Sequence, residues 1–256
     1  MKYSNAILFG QWACVFCFLL TGCSSLKVPA ELTEIGFEWV LVEGGPFLVG
    51  DSFEREDTDA LPLHGIVVAP FYISRYETTL GQYDWFAQET GRETVLPNET
   101  SRGTRAAGNM IWDDALAFCK FIGGRLPSEN EWEYAAAGGS AKQLYPGTND
   151  EAEVDDYVRH RENSMAESFP VGRKKPNFLG LYDMGGNVAE WIGEYYEFYP
   201  EPGVEPDWIN LKSRELRLAR GGGYSAEIHI SRTYWRAGTL KTVQTPTIGV
   251  RCVRDL

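Results

Sequence analysis

Gly180-Leu181-Tyr182-Asp183-Met184-Gly185-Gly186-Asn187-Val188-Ala189-Glu190-Trp191 is the stretch on which the reading of this chain turns. It lies in the part after Leu144 that reads as loops punctuated by glycines and aromatics, with short strands expected only at Leu216 to Arg220 and Ile248 to Val253. Trp191, together with Trp132 and Tyr134 upstream, is expected in the core.

Working outward, regular elements concentrate in the first half. Phe37-Glu38-Trp39-Val40-Leu41-Val42 alternates and carries β-branched residues, which predicts a strand closed by Gly44-Gly45. Phe47 to Gly50, Ile66 to Val68 and Phe71 to Ile73 continue the strand pattern, and the acidic run from Asp51 to Asp59 reads as an exposed loop. Thr79 with Gln82 forms a capping box, and Leu80, Tyr83, Phe86 and Ala87 share a helical face before Gly91. A second helix is predicted from Trp112 to Ile122, with Ala115, Leu116, Cys119 and Ile122 on one side. A third opens at Ser128, reciprocally capped with Glu131, and ends at Gly138-Gly139.

The 256 residues are 43% hydrophobic, with 27 glycines and 13 prolines, a composition that fits a cored but turn-rich globular chain. No linker or repeat divides it, so residues 36–256 read as one domain. A formal charge of −12 repels phosphate backbones and argues against nucleic acid as a partner. No phosphate-binding loop or Gly-x-Ser-x-Gly elbow is present; Gly221-Gly222-Gly223 lacks the lysine and context of a phosphate cradle.

At the amino end, Lys2 precedes an apolar segment from Ala6 to Leu20 and then Leu20-Thr21-Gly22-Cys23. The arrangement resembles a bacterial lipoprotein signal, with an apolar stretch too short for a comfortable membrane span. The resemblance implies a signal peptide over residues 1–22, acylation of Cys23, a lipidated tether over 23–35, and contact with the membrane through the lipid anchor only. Ser24 after the cysteine implies the outer membrane, facing the periplasm. The alternatives are an ordinary signal peptide with an incidental cysteine, or an uncleaved anchor. Cleavage would leave Cys119 and Cys252 as the remaining thiols, an even pair that reads as a disulfide in an oxidising compartment.

Five segments in order then carry a resemblance. They are Phe37-Glu38-Trp39-Val40 with Gly44-Gly45-Pro46-Phe47, Tyr76-Glu77-Thr78-Thr79, Gly124 to Ala136 around Arg125-Leu126-Pro127-Ser128, the stretch Gly180 to Trp191, and Arg220-Gly221-Gly222-Gly223-Tyr224 with Gly249-Val250-Arg251-Cys252. Together they resemble the sulfatase-modifying factor, or formylglycine-generating enzyme, domain. The resemblance implies an irregular α+β fold, similar to C-type lectins, with few helices, short strands and long packed loops. It also implies a structural disulfide at Cys119 and Cys252. Arg125, Glu133 and Arg251 are expected as buried, paired scaffolding charges.

The family holds Ca²⁺ on the central stretch, which places its ligands here at Asp183, Gly186, Val188 and Glu190. Two carboxylates plus carbonyls on a glycine-bent loop are the donors this ion takes. In the ion-free alternative, Asp183 caps a turn and Glu190 pairs with an arginine. A second family calcium site would begin at Asn163 and Ser164, but Met165 to Pro170 lacks the acidic loop that completes it.

The family's two copper-binding cysteines fall on Ala226 and Ser231, with Gly223 and Ile230 replacing a serine and an aromatic nearby. Copper is therefore not expected, since Cu(I) selects thiolates. His64, His160 and His229 form no metal-binding spacing. The reading that follows is a non-catalytic envelope lipoprotein that binds a protein or peptide. Its surface would be the remnant cleft of Tyr224, Ala226, His229, Ser231 and Tyr234, with the Tyr195 to Trp208 loop beside it. An active oxidoreductase of the same family is the alternative, and a calcium-dependent lectin-like glycan binder the third.

Overall fold

The structure is a computed structural model that describes residues 36–55, 58–199 and 215–256. The signal segment, Cys23, the tether and Trp208 lie outside the described residues. Strands β1 (Trp39–Val42), β2 (Gly45–Val49), β3 (His64–Val68) and β4 (Phe71–Ser74) precede three helices, α1 (Leu80–Thr90), α2 (Trp112–Phe121) and α3 (Glu129–Ala136). After a long irregular stretch come β5 (Ala189–Tyr195), β6 (Leu216–Arg220), β7 (Arg236–Leu240), β8 (Ile248–Gly249) and β9 (Val253–Arg254). The strands form three small sheets, ordered β1-β4-β9, β2-β3 and β7-β6-β5-β8, antiparallel except for the β5 and β8 pair. This is the irregular α+β architecture expected.

The helices follow their local signals. Thr79 and Gln82 exchange both bonds of a capping box, at 3.2 and 3.0 Å, and α1 ends at Gly91 in the left-handed region. Ser128 and Glu131 do the same for α3. Tyr83 and Phe86 of α1 pack on Phe118 of α2, with ring centroids 6.3 and 5.6 Å apart. Cys119 of α2 is bonded to Cys252, with Cα atoms 5.4 Å apart, tying that helix to the segment leading into β9.

Three expectations need correction. The second half holds more strand than its sequence announced, because β5 buries Glu190, Trp191 and Ile192 in succession. A strand covered on both faces shows no alternation. Trp191 packs in the core cluster that holds Trp112 and Phe118 of α2, and Ile192 in the cluster that holds Trp132 of α3. Strand β7, on the far side of β6, has no clear sequence signal either, its Arg-Ala-Gly-Thr-Leu run being too short and mixed to stand out. The expected strand from Ile248 to Val253 is split: β8 joins one sheet and β9 another, and the residues between them cross the core. Arg125 is not buried; its side chain is 37% exposed and bridges Glu131 and Asp255 at 2.7 Å each.

Glu133, by contrast, is fully buried and shares a network with Arg220 at 2.7 Å and Lys142 at 3.0 Å. Glu129 binds Arg220 at 2.9 Å and Arg236 at 2.6 Å in the same network. Burial opposes ionisation of Glu133, but Arg220, Lys142 and the Gly50 N–H outweigh it and hold the carboxyl below the usual glutamate range. A depressed folded value means that its contribution is present above the unfolded pKa and is lost as pH falls through the folded one. Glu133→Ala should lower the urea-unfolding free energy by about 3–5 kcal/mol and flatten the acid limb of the stability curve. Replacing Cys119 and Cys252 by serine should cost about 2–5 kcal/mol in the same titration.

Candidate functional site

The central stretch folds as a loop that the surrounding chain holds at nearly every peptide. Asp183 and Asn187 adopt left-handed backbone at φ 55° and 54°. Gly186 is also left-handed, at φ 77°, and a Cβ there would lie 2.0 Å from Arg159 O, so only glycine fits. Gly186 N–H donates to Gly221 O, Asn187 N–H to Arg159 O and Ala189 N–H to Thr247 O, each at 2.8 Å. Asp183 accepts from Gly172 N–H at 2.6 Å.

Glu190, at the loop's end, accepts from Arg251 Nε at 3.0 Å and from the Trp132 indole at 2.6 Å. Arg251 in turn donates to Ser74 O at 2.8 Å and Tyr182 O at 2.6 Å. A third acid enters that the sequence reading did not assign to the site. Glu77, in the turn before α1, accepts from Val188 N–H at 2.9 Å and from the Asn187 side-chain amide at 2.5 Å.

Glu77, Asp183 and Glu190 are 1%, 5% and 1% exposed, beside Arg251 with no exposed surface. Burial pushes Glu77 well above the usual glutamate range, and the charges of Asp183 and Glu190 add to it while Arg251 opposes. Burial likewise raises Asp183 to about 6, against the Gly172 N–H and Arg251, with Glu190 adding to the rise. Burial thus disfavours the charged forms of Glu77 and Asp183, with Arg251 and Arg159 nearby favouring the charged form of Asp183, and a cation bound at the loop would favour the carboxylates.

The donors fit a hard cation. Asp183 and Glu190 offer carboxylates, and the Gly186 and Val188 carbonyls accept no hydrogen bond from the turns and loops among the described residues. No three His, Cys, Asp or Glu side chains among the described residues converge as a ligand group, so the carbonyls and water would complete the shell. Glu190 already has its arginine partner, as in the ion-free alternative. Asn163, where a second calcium site would start, is occupied by the His160 N–H, Asp155 and Val158 O.

The segment of the expected cleft lies against this loop. Tyr224 N–H donates to Asn187 O at 2.8 Å, and Tyr224 O accepts from the Ser164 hydroxyl at 2.8 Å. Ala226 is half-buried, and its carbonyl accepts the Arg161 N–H at 3.0 Å. Ser231 is fully buried, its hydroxyl without a hydrogen-bond partner. Tyr234 is also interior, stacked on Phe53 at 6.1 Å. His229 faces outward, 3.5 Å from Glu227 and edge-on to Trp235. Ala226 and Ser231 offer one hydroxyl between them, and the described thiols are bonded to each other, so a soft Cu(I) ion does not fit.

In the neighbouring aromatic loop, Tyr196 donates to Asp59 at 2.8 Å and Tyr199 lies over Arg236 at 4.1 Å, while Phe198 is 70% exposed.

A domain of three small sheets, with a glycine-bent acidic loop ending on a buried Glu-Arg pair, defines a formylglycine-generating-enzyme-like module. The chain belongs to the family of the sulfatase-modifying factor enzyme 1-like domain, whose model matches residues 27–256. It is similar to the serine/threonine-protein kinase Pkn1 of Chlamydia trachomatis, 30% identical across 86% of this chain but only 38% of that protein. The chain thus spans well under half the length of that relative. The chaperone protein LppX of Paenibacillus barcinonensis is 26% identical over 92% of this chain and 94% of its own. Among solved structures, PvdO from Pseudomonas aeruginosa aligns with a TM-score of 0.73 and 27% identity, over 85% of this chain and 94% of its own.

If the loop takes calcium, the ion should raise the melting temperature of the wild-type protein, and Asp183→Ala should erase that rise. Melts in chelator and in added calcium chloride test this; a wild type indifferent to both rejects the ion.

Proposed function

We propose that this chain is a non-catalytic, lipid-anchored envelope module that binds a protein or peptide and is stabilised by calcium. The observation that carries the non-catalytic part is Ala226 and Ser231 at the positions where the family resemblance places copper-binding cysteines. An aliphatic side chain and a buried hydroxyl cannot act as a thiolate pair. A scaffold kept without that pair points to binding. Similarity to a relative described as a chaperone protein, over nearly the whole of both chains, supports the same reading. The binding surface is the part of the expected cleft that reaches solvent, Tyr224, Ala226 and His229, together with the exposed Phe198; Ser231 and Tyr234, expected to line it, are buried in the interior and do not belong to it. The anchor is Cys23, and the location is the outer membrane, facing the periplasm.

The reading excludes formylglycine generation. Purified protein incubated with Cu(I), oxygen and a peptide containing Cys-x-Pro-x-Arg should yield no aldehyde by mass spectrometry. Metal-dependent aldehyde above a heat-killed control would establish the oxidoreductase instead. Cross-linking in native envelopes should capture a protein, whereas calcium-dependent retention on oligosaccharide would favour a glycan binder. A palmitate analogue should label the wild type and leave Cys23→Ala unlabelled; equal labelling of both removes the anchor.

A further inference from the structure

Glu77 is held as rigidly as the loop it touches. Thr78 N–H donates to Val250 O at 2.9 Å, and Thr78 O accepts from Ala107 N–H at 2.8 Å, fixing the backbone beside it. Its two carboxylate oxygens are both committed to one dipeptide, the Val188 N–H and the Asn187 amide. The remaining side-chain atom of Asn187 accepts from Phe169 N–H at 2.8 Å, so the amide cannot turn round without losing that bond.

In a trans peptide the N–H and C=O point in opposite directions. The Asn187 N–H rests on Arg159 O, which turns the Gly186 carbonyl away from Arg159. The Ala189 N–H rests on Thr247 O, which turns the Val188 carbonyl away from that segment. The peptide between them is pinned at its N–H by Glu77 and at its C=O by Tyr224. Asn187 is thereby kept in a left-handed conformation, one that asparagine adopts more readily than other non-glycine residues. A neutral acceptor could satisfy the same two donors. A carboxylate instead places a third acid beside Asp183, which accepts from Gly172 N–H, and Glu190, which accepts from Arg251 and the Trp132 indole.

We propose that Glu77 is the positioning residue of this loop: it fixes the Asn187–Val188 peptide so that the Gly186 and Val188 carbonyls stay available to a divalent cation, without ligating it. The proposal rests on the reading of the loop as a calcium site. It also links the ion to the turn that opens α1, so occupancy of the loop and the seating of that helix are coupled.

The test exchanges donor and acceptor. Glu77→Gln keeps an acceptor for Val188 N–H but sets amide against amide at Asn187. Adding Asn187→Asp restores a complementary pair, keeps the total charge and still accepts from Phe169 N–H. Calcium chloride titrated into chelator-stripped full-length protein in detergent, followed by calorimetry and by competition with terbium luminescence, gives the dissociation constant. Melting in chelator reports the ion-free fold separately. Glu77→Gln should weaken calcium binding about 10- to 100-fold, as loss of a ligand's supporting bond does elsewhere, and the double variant should recover affinity toward the wild type. Unchanged affinity in Glu77→Gln, or no recovery in the double variant when its chelator melt matches the wild type, overturns the proposal while leaving the calcium site standing. A wild type that binds neither calcium nor terbium removes the calcium reading and this proposal together.

Discussion

A guanidinium taken wholly out of water must find an acceptor in every direction it points, and Arg251 finds them at both ends of the acidic loop and in a strand far from it in sequence. Glu190 at the end of the acidic loop, Ser74 O at the end of β4 and Tyr182 O at the start of that loop converge on it. The residue before it, Val250, receives Thr78 N–H, and the residue after it carries the disulfide to α2. A buried ion pair adds little net stability over well-packed apolar groups, but losing one partner strands the other charge. The segment from Val250 to Val253 is therefore fixed in place, and the acidic loop, β4 and α2 take their positions from it.

The interior charges divide into two groups of opposite balance. Around α3, the cations Arg220, Arg236 and Lys142 meet Glu129 and Glu133. Around the loop, the acids Glu77, Asp183 and Glu190 meet Arg251. Glu133 sits below its usual pKa range, Glu77 and Asp183 above theirs. The first group is complete as a scaffold. In the second, burial raises the pKa of Glu77 and Asp183, so their protonation is the part of the interior that a change in local charge would alter.

How much of this could be read from sequence depended on the range of the interaction. Helices α1 and α3 were legible because Thr79, Gln82, Ser128, Glu131 and Gly91 act on their own neighbours, and α2, which has no side-chain cap, from its apolar spacing alone. The disulfide was legible because few thiols remained to pair. Strand β5 was not, since Glu190, Trp191 and Ile192 are buried in succession by helices far away in sequence. Arg125 looked like a core charge because its motif is compact, yet its partner Asp255 lies at the exposed end of the chain. Glu77 stood inside a quoted motif, but its role depends on contacts more than a hundred residues downstream, at Asn187 and Val188. No local pattern encodes those contacts.

In the first sheet, β4 lies between β1 and β9, so the earliest and latest strands of the domain flank the same central strand. A ribosome or a translocation channel delivers the chain from its amino end. Until Val253 and Arg254 emerge, one edge of β4 is unpaired, Arg251 is absent, and the thiol of Cys119 has no mate. The amino-terminal half can form its helices early, but the tertiary structure closes only when the final residues arrive. Removing residues 251–254 would take away β9, the Arg251 guanidinium and one end of the disulfide together, and so would act on β4, the acidic loop and α2 at once.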